Sequence, residues 1–503
     1  MRARSTHWGV GDPVITRAPF WRALRWRPPI ADEGLGWSIR RTTAFVLDLV
    51  IAIYALALVV IMVTGGVDLG VVSLHEAAKP ILILAIVIPL RVTLGRRAGV
   101  LELARRSVAR WLTAVRAVVL DRVPPAVADV AFVWVVTCAA TFSIGFVANL
   151  LFRPSRVRAF AMPFRYEKFA EIFAAWDSGW YFDIASRGYY FNPNGQSSIP
   201  FFPLYPMLMR AVAWPFGGTE QAIWAAGIVV SCLAFALALL AIHRLTQRIV
   251  GDREAARRTV LYMAVFPFSL FLTRVYAESV FLLTSVLAVS RAYDGRWSRA
   301  GIWGALATLA RPNGILIGLP LVLLALGGRP TTRELARRLP PLLLVPLALA
   351  AYCAYVFGLS GNPLAWLSAE AHWGYSLGHP PWEQLLKMIG RLVDHGAYGY
   401  FFVSAMAPFR LFHGVAALLF LGLTPAIFKR LGVALGAYVL VSLLVPLSSN
   451  ALEGVGRYAA VLFPAFMLIG GCKSARLHET ILIAASLFLA LFICLFVTLQ
   501  PIY

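Results

Sequence analysis

Apolar runs recur along this chain from residue 44 to residue 499, separated for the most part by short loops. A helix needs about 20 apolar residues to cross the hydrocarbon core of a bilayer. AFVLDLVIAIYALALVVIMVT, at 44–64, supplies them in one stretch. The composition carries the same message: 60% of the 503 residues are hydrophobic and 14% are charged, where a soluble domain has roughly a quarter charged. Mean hydropathy is +0.74. Water does not tolerate that much exposed apolar surface and lipid does. The expected fold is all-α, a polytopic bundle of transmembrane helices, and a soluble domain is excluded.

A second, shorter run follows at 81–90, and further runs cover 127–151, 222–243, 259–274, 276–290, 300–327, 340–358, 411–428, 431–447, 459–471 and 480–499. Together they predict roughly eleven to thirteen spans. Arg311-Pro312-Asn313-Gly314 interrupts the 300–327 run. Proline removes a backbone donor there, so two half-helices are expected. Residues 91–122 hold eight arginines, with Leu101, Val108, Leu112, Val115 and Val119 at helical spacing. This pattern predicts an amphipathic helix on the membrane surface.

The net charge of +22 would suggest nucleic acid in a soluble chain. Here the Lys and Arg residues sit mainly in the loops, where they set orientation because they resist translocation. No nucleic-acid partner is expected. With the N-terminal tail and the basic loops 244–258, 291–299, 329–338, 429–430 and 473–476 in the cytoplasm, the runs alternate consistently. The segments 152–221, 359–410 and 448–458, with the turn near 275, then share the outer face. The C-terminus lies there too. The opening MRARSTHWGVGDP does not lead directly into an apolar core, so no cleavable signal is expected. The five cysteines show neither metal-ligand nor redox spacing and read as small buried hydrophobes.

Polar chemistry collects on the outer face. The densest stretch is EIFAAWDSGWYFDIASRGYYFNPNGQSSIPFFPLYP, 171–206. On a helix Asp177 and Tyr181 share one face, with Trp176 and Trp180 beside them. A carboxylate among aromatic rings suits a sugar: the rings stack on its apolar faces and the carboxylate takes a hydroxyl proton. An interfacial aromatic belt with Asp177 as a helix cap is the competing explanation. Asp183 is a second catalytic candidate, although Arg187, four residues on, offers it a plain ion pair. Glu278, at the start of an apolar run, is costly unless paired, which makes it a functional candidate. Arg274, four residues earlier, is its nearest structural partner in sequence. The loop 361–382 adds His372 and Trp373 as sugar- or acceptor-binding candidates, with Glu370 and His379 nearby. No His, Asp or Glu spacing compels a metal, though a divalent ion stays compatible with the sequence.

These motifs carry a family resemblance. WDSGWYFDIASRGY resembles the first lumenal loop of the PIG-V mannosyltransferases, which have the GT-C membrane glycosyltransferase fold. FFPLYP resembles their Phe/Pro-rich segment, FPFSLFLTRVYAESVFLL (266–283) their Pro-Ser and Tyr-Ala-Glu-Ser segment, LARPNG (309–314) their Arg-Asn-Gly motif, and GRYAAVLFP (456–464) their late Arg-Tyr and Phe-Pro segment. The order is preserved over about residues 125–472, and the ordered set is more specific than any one motif. Residues 1–124 fall outside it, as a cytoplasmic tail, two extra runs and the basic helix. Residues 125–503 are then the GT-C-like catalytic domain.

The resemblance implies transfer of a sugar, mannose by family, from a polyprenyl-phosphate carrier to an extracytoplasmic lipid or glycan acceptor, with inversion. Asp177 matches the family's acidic general base. A phosphate leaving group needs no strong acid, but it needs cations, and Arg457, Arg274 and Arg311 are the candidates. The lipid-linked sugar is the only co-reactant implied. A transporter or lipid-linked-sugar flippase is the alternative, since broken helices occur in transporters. The Ala- and Arg-rich composition suits a bacterial cell membrane.

Overall fold

The computed structural model describes residues 46–55, 67–68, 73–74, 78–93, 123–156 and 167–502. The chain divides into two compact units, Met1–Pro124 and Pro125–Tyr503. In the first, helices α1 (Val46–Ala55) and α2 (Ala78–Thr93) are joined by an ion pair. Asp48 is fully buried, and Arg91 Nε donates to it at 2.6 Å. A carboxylate on an apolar helix is tolerated only when paired in this way. A two-residue antiparallel pairing, β1 (Val67–Asp68) with β2 (Ser73–Leu74), is the one departure from an all-α fold among the described residues. The expected amphipathic helix over 91–122 lies outside the described residues from 94 onward.

The second unit is all-helical. α3 (Pro125–Leu151) leads to α4 (Ser178–Arg187), then α5 (Leu204–Ala213), α6 (Glu220–Val250) and α7 (Arg253–Val265). After a 3-10 turn at Pro267–Thr273 come α8 (Glu278–Tyr293) and α9 (Trp297–Ala310). A second 3-10 turn at Pro312–Ile317 leads into α10 (Gly318–Leu326), α11 (Thr332–Arg338) and α12 (Leu344–Ser360). α13 (Glu383–Val403), α14 (Ala407–Leu431), α15 (Val433–Leu447), α16 (Val455–Ala460), α17 (Phe463–Gly470) and α18 (Ala475–Val497) complete it.

Among the described residues five helices are long and apolar enough to cross a membrane: 125–151, 220–250, 332–360, 407–431 and 475–497. A sixth is obtained if α7 and the turn after it, bent by 85°, count as one. Other apolar runs form shorter helices, and some of these are enclosed by the bundle. α8 is the clearest case: Glu278, Val280, Phe281, Ser285 and Val289 are all buried, so the helix is enclosed all round and packs against α6 and α9. α9 approaches the 3-10 turn Pro340–Leu343 before α12 closely through Gly301, where a Cβ would lie 2.0 Å from the Pro341 carbonyl oxygen. The break at Arg311-Pro312 occurs as the sequence predicts, with Arg311 extended (φ −152°, ψ 152°) between α9 and its 3-10 turn.

The loops sort into two faces. On one, Arg253 bonds Asp129, Arg248 bonds Asp294, Arg258 bonds the Cys472 carbonyl and Tyr262 meets His478. On the other, the His379 amide bonds the Ser448 carbonyl, Gln384 bonds Asn450, and Ser155 bonds the Thr498 and Leu499 carbonyls. The first set joins the basic loops to one another. The second joins 359–410 to 448–458 and, separately, 152–221 to the end of α18.

Candidate active site

The turn before α4 is fixed by backbone contacts to the segment preceding α8. The Val275 amide donates to the Phe173 carbonyl at 2.9 Å. Tyr276 Oη donates to the Ala175 carbonyl at 2.8 Å and accepts from the Asp177 amide at 3.3 Å. Trp176 adopts a left-handed φ of 54°. A side chain there costs of order 1 kcal/mol, and such strain persists only where surrounding contacts over-determine it. The result is to turn Asp177 toward the helices rather than along α4. Asp177 occupies the cap position of α4, but its side chain makes no capping hydrogen bond. Its carboxylate goes elsewhere.

Arg457, on α16, reaches it. Arg457 Nη1 lies 2.6 Å from Asp177 Oδ2, and Nε and Nη2 lie 2.7 and 2.6 Å from Glu278 Oε1. Arg311 contacts the same oxygen of Glu278. The Arg457 guanidinium also lies 4.8 Å from the Tyr276 ring and 5.0 Å from Phe271, and Arg311 lies 5.0 Å from the Tyr458 ring. Two carboxylates and two guanidiniums thus form one cluster of balanced charge, floored by aromatic faces. Access separates the carboxylates: the Glu278 side chain is 0% exposed and that of Asp177 26%. Glycines in the motifs make room. A Cβ on Gly314 would sit 2.0 Å from the Ala307 carbonyl oxygen, and one on Gly456 would enter the Phe268 ring. The Gly456 amide donates to His413 Nδ1 at 3.1 Å.

The expected i,i+4 pair between Arg274 and Glu278 does not form. α8 starts only at Glu278, and Arg274 precedes it in extended backbone (φ −97°, ψ 172°), so helical spacing does not apply. Arg274 is fully buried between Phe142, Phe173 and Phe496, donates to Thr273 Oγ1 at 3.1 Å, and its Nε and Nη2 meet no acceptor. The structure does not bring it into the cluster.

Asp183 lies away from the cluster. It stands 3.7 Å from Arg187 in an exposed i,i+4 pair, and burial pushes its carboxyl above the usual range. Trp180 stacks on Phe201 at 5.5 Å and 10°, and Trp373 meets it edge-on at 5.4 Å, so the loops 171–206 and 361–382 share one aromatic platform. Tyr181 belongs to the core instead, packed on Phe201 and Tyr205. His372 is exposed, with Nδ1 3.3 Å from the Ala369 carbonyl.

Two contributions were not singled out in the sequence, and a third was named there only as a neighbour of the loop candidates. Tyr276 anchors the Asp177 turn, and Tyr458 underlies Arg311; each sits within a quoted motif, which was the available signal. Glu370, half-buried, has its carboxyl pushed up to about 7 by burial, against the pull of Arg311. Among the described residues no three His, Cys, Asp or Glu side chains are grouped as metal ligands.

Residues 139–325 match the family described as mannosyltransferase (PIG-V). The GPI mannosyltransferase 2 of Yarrowia lipolytica is 28% identical over 155 residues, 31% of this chain and 41% of that protein. The GPI mannosyltransferase 2 of Drosophila pseudoobscura pseudoobscura is 28% identical over 161 residues, 30% of this chain and 35% of that protein. The chain thus spans less than half the length of these relatives. Among solved structures it is similar to ArnT from Cupriavidus metallidurans bound to undecaprenyl phosphate, with a TM-score of 0.42 and 14% identity over 70% of this chain and 62% of that one. On the sequence matches the chain is PIG-V-like, and the likeness resides in the stretch that supplies Asp177, Glu278 and Arg311.

Proposed function

We propose that the chain is a GT-C-type membrane mannosyltransferase. It takes mannose from a polyprenyl-phosphate carrier and transfers it, with inversion, to a lipid or glycan acceptor on the outer face of a bacterial cell membrane. The observation that carries this reading is the unequal exposure of the two carboxylates around Arg457. Glu278 is sealed and holds both guanidiniums in place. Asp177 is open to an incoming hydroxyl, so it is the group able to accept a proton as the acceptor oxygen attacks the anomeric carbon. Arg457 and Arg311 are fixed cations for the phosphate that leaves, and their orientation is set before the reaction. The Trp180–Trp373 platform offers ring faces to a sugar at the edge of the same loops. The PIG-V match over 139–325 and the names of the curated relatives support mannose as the sugar. The Ala- and Arg-rich composition supports the bacterial membrane.

The test is direct. The purified full chain is incubated with polyprenyl-phosphate mannose and a membrane glycolipid extract, and labelled product is followed. Carrier movement across reconstituted vesicles without any mannose transfer would replace this reading with the flippase one.

A further inference from the structure

α9 carries Arg311 just past its C-terminal end. Its N-terminal end, about 20 Å away at 1.5 Å per residue, borders a second charged site. Arg296, Trp297 and Arg299 there face Glu334, Arg337 and Arg338 across a cavity of about 510 Å³. The acids in and beside it are already engaged. Glu334 closes a capping box with Thr331 and accepts from Arg338 at 3.1 Å. Asp294 is held by Arg248 and Arg291. Arg338 is tied down further by the Ala325 carbonyl at 3.1 Å and lies 5.8 Å from the Trp297 ring. Arg296, Arg299 and Arg337 have no carboxylate partner among the described residues. The first turn of α9 has neither a side-chain cap nor an acidic residue, so its amides add to the positive field.

The orientation rule explains arginines in these loops. It does not explain why those of 296–299 and 337–338, from separate loops, converge on one cavity at an uncapped helix end. Guanidinium forks around a hollow, one braced by a carboxylate and the others free, match the oxygens of a phosphate. We propose that this cavity binds a phosphate group, carried by an anionic lipid headgroup or by a small soluble phosphate, on the face opposite Asp177.

The probes are dioctanoyl phosphatidylglycerol and glycerol 3-phosphate, added to the purified full chain in a zwitterionic detergent. Binding is read by native mass spectrometry and by the thermal shift. The variant Arg296→Gln/Arg299→Gln/Arg337→Gln is compared with Arg333→Gln/Lys429→Gln/Arg430→Gln, which removes equal charge from exposed positions outside the cavity. Expected is saturable binding to the wild type and the control, weakened at least ~10-fold in the cavity variant, since three charge-assisted contacts are lost. Binding of the lipid alone identifies a headgroup as the source, and binding of both probes identifies a soluble phosphate as sufficient. Equal losses in both variants, or no saturable binding of either probe, overturns the proposal. The single exposed substitution Arg299→Gln, expected to weaken binding several-fold, gives the same decision if the triple variant does not fold.

Discussion

Arg457 Nη1 and Asp177 Oδ2 stand 2.6 Å apart although 280 residues separate them in the chain. The same guanidinium holds Glu278, so one side chain ties the turn before α4 to the start of α8 in the bundle.

Asp177→Asn keeps the size of the side chain and cannot take a proton. Turnover per folded molecule is expected to fall about 100-fold to 10,000-fold. Asp183→Asn should stay within a few-fold of wild type, because its exposed pair with Arg187 is worth at most about 1 kcal/mol. A dead Asp183→Asn beside an active Asp177→Asn would move the base to 183.

Glu278→Gln leaves two buried guanidiniums without their shared counter-ion. Breaking a buried pair from one side typically costs about 3–5 kcal/mol. The expected result is a large drop in thermal midpoint and folded yield, measured by fluorescence-detected size-exclusion after heating. A variant as heat-resistant as wild type would show that Glu278 does not organise the arginines.

Arg457→Lys retains a charge but cannot span Asp177 and Glu278 with a planar fork. Donor use should be weakened in Arg457→Ala and only partly restored in Arg457→Lys. Arg274→Met, by contrast, replaces a buried arginine that pairs with no carboxylate among the described residues, and it should leave donor kinetics near wild type. Loss of donor affinity in Arg274→Met with normal folding would return Arg274 to the phosphate site.

Glu370 carries a pH signature. Its carboxyl titrates near 7 when folded, against 4.5 in an exposed glutamate, because burial disfavours the charged form. The folded state then binds the proton more tightly than the unfolded chain. Its contribution to stability is present in full below about 4.5 and disappears as pH rises through about 7. Thermal midpoints measured from pH 5 to pH 8 should therefore fall less steeply in Glu370→Gln than in the wild type. Parallel curves would refute this.

Orientation is checked by cysteine labelling in intact cells, with Asn194→Cys as the outer probe and Thr332→Cys as the inner one. Both positions are exposed, whereas Ser197, in the same outer loop, is buried. An impermeant maleimide should add label at 194 only, relative to the unsubstituted chain.

The sequence displayed the helical bundle, the break at Pro312 and the sorting of loops, since these follow from apolar run length, proline chemistry and the cost of moving arginine through lipid. It also supplied Asp177, Glu278, Arg311 and Arg457 as separate candidates. Their convergence was not legible. It depends on where α8 begins: with Arg274 in extended backbone, the local partner of Glu278 is lost and two distant arginines take its place. The degree of enclosure of each apolar run was not legible for a related reason. Apolar composition does not distinguish a helix facing lipid from one, such as α8, enclosed by other helices.

The cluster also sets an order of events during synthesis. Asp177, Glu278 and Arg311 leave the ribosome long before Arg457. Through most of translation Glu278 has Arg311 as its only partner within the cluster, and Asp177 has none there. The contact between Asp177 and Arg457 cannot form until α16 arrives. A chain cut in the exposed turn at Gly327–Gly328, between α10 and α11, would divide the cluster between two fragments, neither of which can neutralise itself. Co-assembly of such fragments would be driven by that unmet charge, and neither fragment would hold the complete site alone.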